Sequence, residues 1–152
     1  MSVTKLRTAL ALMLLTVALP AAAQKPQPVR GPLASAKGLR CSFPSYGAGR
    51  FLAAAPPQVL TGSQEFAFQI DSIDYKRGQV RIVGEGNALA TMRLTQTGMH
   101  IIEQTPIGNF TITSIFSGAG DGKTFLSVHS RHLGELDAAP RSSQAYGSCA
   151  LQ

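Results

Sequence analysis

The sequence predicts an all-β domain: a small antiparallel meander of about seven to nine short strands, closed or nearly closed into a barrel, with one disulfide. Three observations predict it. Runs rich in Thr, Ile, Val and Phe recur between turn signals at intervals of about ten residues. No window beyond residue 24 carries a sustained 3.6-residue apolar period. The two cysteines, Cys41 and Cys149, stand near the two ends of the β-rich stretch. A sheet of this size must close or pack on itself to hide its edges, and joining its first strand to its last is what closure requires. A two-sheet sandwich is the alternative.

Residues 1–23 have the three parts of a secretory signal. Lys5 and Arg7 supply a positive start, residues 9–19 form an apolar stretch, Pro20 ends it, and Ala21, Ala22 and Ala23 offer small residues for cleavage. The apolar stretch falls short of the roughly 20 residues of a spanning helix, so no transmembrane segment is expected after cleavage. Residues 24–38 read as a flexible, basic, Pro-containing arm, and 39–152 as a single β domain. An even cysteine count in an exported chain points to a disulfide, and two cysteines allow one intramolecular pairing. No C-x-x-C spacing accompanies them, so metal or redox chemistry is not indicated.

The strands are expected as follows. Residues 39–43 carry Cys41, and the Pro- and Gly-rich passage 44–57 holds at most a short strand near Phe51. Phe66, Phe68 and Ile70 recur at period two within 65–74, the clearest strand signature in the chain. Further strands follow at 79–84, 88–95, 99–105, 109–117, 123–131 and 143–151, separated by turns rich in Gly, Asn and Pro. Residues 133–141 hold one helical turn at most.

The formal net charge of +6 is uneven. Between residues 24 and 50 lie Lys25, Arg30, Lys37, Arg40 and Arg50 with no acidic residue, whereas beyond residue 50 the two signs nearly balance. A basic arm is suited to an anionic envelope surface or an acidic partner. Nucleic acid is excluded as a partner by export and by the lack of interleaved aromatic and basic residues.

Several motifs invite a chemical reading. Residues 118–124 look like a phosphate loop, but Ser117 stands where that pattern needs glycine and the following residues are β-like, so they read as a hairpin turn. His129 and His132 are three apart and face opposite sides of a strand; His100 and Glu103 likewise face apart, so no metal site is predicted. No G-x-S-x-G elbow occurs. Asp71, Asp74, Glu85 and Glu103 could be paired carboxylates only if folding brought them together. No catalytic residue and no cofactor are assigned. The most unusual chemistry lies in residues 127–132. Phe125, Ser127, His129 and Arg131 share one strand face, and if that face turns inward it lines a wet cavity with Arg131 as its fixed charge. Ser127, His129 and Arg131 are the candidate ligand-binding residues.

Residues 102–109, 128–132 and 143–149 resemble a group of exported proteins of Gram-negative bacteria for which no activity is established, over about the last two thirds of the mature chain. The resemblance implies a periplasmic or secreted setting and a terminal cysteine pairing, and brings no catalytic residue. The reading that follows is a non-catalytic binding module for a polar or anionic small molecule, an envelope component or an exported partner protein. The alternatives are an inhibitor of an exported peptidase or cell-wall-degrading enzyme, which could use the arm as an insert, and a hydrolase.

Overall fold

The computed structural model describes residues 31–152, apart from 53, 85–87, 107 and 136–137. The predicted signal and residues 24–30 of the arm lie outside the described residues. A short 3-10 helix, Pro32–Ser35, precedes eight strands: β1 (Leu39–Leu52), β2 (Ala55–Asp74), β3 (Gln79–Val83), β4 (Ala88–Leu94), β5 (Gly98–Gln104), β6 (Phe110–Gly120), β7 (Thr124–Glu135) and β8 (Ala138–Leu151). Each strand pairs antiparallel with the next, and β8 returns to pair with β1, so the sheet closes into a barrel. Cys41 and Cys149 face each other across that closing seam and are joined by the disulfide. The predicted barrel and staple are both present.

Period-two alternation turns one set of side chains inward. Leu39, Cys41 and Phe43 of β1, Phe68 and Ile70 of β2, Val80 of β3, Ala90 and Met92 of β4, Met99 and Ile101 of β5, Ile115 of β6 and Phe125 of β7 form the buried core. Burying a Leu, Ile, Phe or Met side chain contributes about 1.5–3 kcal/mol, so this set is the main source of stability. One end of the barrel is corked by the 3-10 helix. Leu33 is fully buried beneath it, and the Tyr75 hydroxyl sits 2.7 Å from the Ala36 carbonyl oxygen and 3.1 Å from that of Leu33. Burial raises the Tyr75 pKa, which keeps that hydroxyl protonated as a donor. The described end of the arm is thus packed rather than extended and solvated, because Leu33 and Ala36 are apolar enough to be worth burying.

Two further expectations are corrected. Residues 44–57 are not a loop with a short strand: β1 continues to Leu52 and β2 begins at Ala55. The prolines are tolerated for positional reasons. Pro44 sits at the irregularity between the Phe43 and Ser45 pairings, and Pro56 and Pro57 lie where β2 has no second neighbour, since β2 meets β3 only from Gln69 onward. Residues 133–135 and 138–141 are likewise strand rather than loop, since β7 runs to Glu135 and β8 starts at Ala138. Together β2, β1, β8 and β7 extend past the rest of the barrel as a four-stranded ribbon. Two glycines allow it. The Tyr46 ring lies on Gly62, where a Cβ would come within 2.8 Å of the Tyr46 hydroxyl oxygen. Gly147 passes so close to the Ser42 carbonyl, at the β1 irregularity, that no side chain fits.

Candidate functional site

Among the described residues, the end of the barrel opposite the helix is open. A cavity of about 740 Å³ occupies it, walled by Phe66 and Phe68 from β2, Glu103 from β5, Thr111 from β6, and His129 and Arg131 from β7. Glu65 and the β5–β6 loop, including Pro106 and Asn109, also line it. The ends of that loop are tied: the Thr105 amide donates to the Asn109 carbonyl at 2.9 Å, the Asn109 amide donates to Thr105 Oγ1 at 3.1 Å, and Asn109 Oδ1 accepts from the Gly134 amide at 3.2 Å. Eight-stranded barrels have room either for a packed interior or for one small ligand. Here the two solutions share one barrel, a packed half and a hollow half.

His129 marks the boundary between them. It is 6% exposed, and its Nδ1 lies 2.8 Å from Thr113 Oγ1. The rings of Phe43, Phe66 and Phe68 surround it at centroid distances of 5.7, 5.0 and 5.5 Å. Burial, and then the nearby Arg131 charge, push the imidazole down from its ordinary value to about 4. It is therefore neutral near pH 7, with Nδ1 engaged by Thr113. Arg131 stands nearer the mouth, its guanidinium carbon 5.9 Å from the centroid of the Phe66 ring, so its head leans across the opening toward β2.

The other candidates are placed as follows. Ser127 faces inward but does not reach the cavity; it is 3% exposed and its hydroxyl donates to the Phe125 carbonyl at 3.0 Å. His100 is on the outer surface, between Ser114 Oγ at 3.0 Å and Thr95 Oγ1 at 3.1 Å. His132 is exposed. No cluster of three or more His, Cys, Asp or Glu able to hold a metal occurs among the described residues. Among the described residues, the imagined carboxylate pairs do not assemble. Asp71 forms a two-pronged contact with Arg81, both bonds at 2.7 Å, which holds its carboxyl below the usual range. Asp74 accepts from the Lys76 and Arg77 amides in the β2–β3 turn, and Glu85 lies outside the described residues. In the glycine-rich run, Asp121 accepts from the Lys123 and Thr124 amides, which makes it a hairpin turn.

Glu103 is the residue whose place at the site was not read from the sequence, although its signal was present. Ile101 is buried, so the position two along must share its inward face. The Glu103 carboxylate accepts from the Thr111 hydroxyl at 3.3 Å. Among the described residues the ion pairs found are Arg77–Asp74 and Arg81–Asp71, so neither Glu103 nor Glu65 pairs with Arg131.

With this geometry in place, the chain was compared with known proteins: no family model, curated protein or solved structure matches it. No helix among the described residues is long and apolar enough to cross a membrane.

Proposed function

We propose that the chain is an exported, non-catalytic binding module, working in the periplasm or as a secreted protein, that takes a small polar or anionic ligand into the open end of its barrel. The observation that carries this reading is the cavity itself. A barrel sealed by Leu33 at one end keeps about 740 Å³ open at the other, with Arg131 and a neutral His129 in its wall. A space of that size suits a small molecule. Phe66 and Phe68 supply an apolar surface for the body of the ligand, and Arg131 supplies a planar, permanently charged donor for its anionic group. A packed core would have filled this half with side chains.

Binding of anilinonaphthalene sulfonate, an aromatic anion, tests the reading; the chain contains no Trp to interfere with its fluorescence. The wild type is expected to enhance the dye's emission, and Arg131→Ala to bind it on the order of tenfold more weakly, the loss of about one charge-assisted contact. Arg40→Ala, on the exposed outer face of β1, is expected to bind it like the wild type. Equal dye affinity for Arg131→Ala and wild type would place the binding elsewhere.

A further inference from the structure

The charges in the cavity do not add up to a simple anion site. Arg131 is accompanied by two carboxylates, Glu65 and Glu103, and His129 adds no positive charge near pH 7. A bare anion entering to meet Arg131 would also meet the like charge of Glu103 across the same cavity. Arg131 and Glu103 do not cancel each other. They lie on β7 and β5, the first and third of three neighbouring strands, with Thr111 of β6 between them in register: Glu103 faces Thr111, and Thr111 faces Arg131. Two strand spacings put their backbones about 10 Å apart. The Arg131 head leans away toward Phe66 on β2, while the Glu103 carboxylate is held by the Thr111 hydroxyl. The cavity therefore presents a fixed cation on one side and a fixed anion on the other.

We infer that the ligand is a short zwitterion, an amino acid or a short peptide with both termini free, whose carboxylate meets Arg131 and whose ammonium meets Glu103. This rests on the binding-module reading and names the ligand class of the same cavity. A ligand bearing both charges satisfies both walls at once, whereas a ligand of one sign satisfies one wall and is repelled by the other. The aromatic wall of Phe66 and Phe68 would lie along the body of such a peptide.

Calorimetric titration of the full chain with alanine, trialanine, N-acetyl-trialanine and trialanine amide tests the inference. Free trialanine is expected to bind most tightly among the peptides, and blocking either end to weaken it on the order of tenfold. Glu103→Gln should erase the cost of acetylation while leaving that of amidation, and Arg131→Gln should do the reverse; dye binding by Glu103→Gln shows that the variant is folded and its cavity intact. Alanine binding more tightly than trialanine assigns the site to free amino acids, and the opposite order assigns it to peptides; both support the inference. If blocked and free peptides bind alike, or if the dye binds while alanine and all three peptides fail at millimolar concentration, the zwitterion is wrong and the binding module stands. If neither dye nor peptide binds, both readings fall.

Discussion

The two ends of this barrel are made by the same eight strands, yet they solve different problems. At the helix end the inward positions are Leu39, Ile70, Val80, Met92 and Met99, each 2% exposed or less. At the other end the same inward alternation delivers Glu103, Thr111, His129 and Arg131. Alternation along a strand decides which side of the sheet a residue faces; the height in the barrel decides whether that side is dry. A carboxylate at the level of Val80 would lie in the dry core, whereas Glu103 at the mouth is half-buried and keeps access to water. The contrast assigns stability to one end and chemistry to the other.

The sharpest way to break that division is to cut the staple. On the loop-entropy account, replacing Cys41 and Cys149 together by Ala, across their separation of 108 residues, costs about 4.8 kcal/mol, read as a lower urea midpoint. Leu33→Ala uncorks the sealed end and is expected to cost about 3 kcal/mol while leaving dye binding at the open end within twofold. Deleting residues 24–36 removes Leu33 as well, so that deletion should destabilise the barrel, whatever the arm does.

His129, at the boundary, gives a pH test. Its unfolded imidazole takes up a proton near 6.5 and its folded one near 4. Between those values the unfolded state alone is protonated, so the stability is complete above pH 6.5 and is lost as pH falls toward 4. About 1.6 kcal/mol should disappear between pH 6.5 and 5, as measured by urea unfolding, and His129→Gln should flatten that slope. The smallest expected effects on folding are at the mouth. Arg131→Ala and Glu103→Gln should each change stability by less than about 0.5 kcal/mol, because both groups keep contact with water. A loss of 2 kcal/mol from either would mean that the open end also holds the fold together.

Much of the packed half was legible in the sequence. Phe66, Phe68 and Ile70 announce both strand and inward face, and Cys41 with Cys149 predicts the seam. The ribbon was not legible, because Pro44, Pro56 and Pro57 read as loop residues, and only the pairing scheme shows that they stand at an irregularity and on an edge. Residues 133–135 and 138–141 misled for a related reason: a Gly-, Ala- and Pro-containing segment carries little alternation, and the extended form of these residues comes from pairing with each other. At the site, His129 and Arg131 could be placed on one face but not at one height, so Ser127 was grouped with them although it sits in the packed layer below. Glu103 belonged with them by alternation from Ile101, but a lone carboxylate on a strand reads as solvent-facing until the barrel closes around it.

The seam between β1 and β8 also governs how the molecule can assemble. All other neighbouring strands are consecutive in the chain and can zip as hairpins, but this pairing unites its first strand with its last. Circularisation is thus the slow, high-contact-order step, and until the final strand arrives β1 has an exposed flank open to mispairing. An oxidised chain diluted from denaturant keeps its two flanks tethered and should refold faster than a reduced one, making the cystine a kinetic latch as well as a clamp.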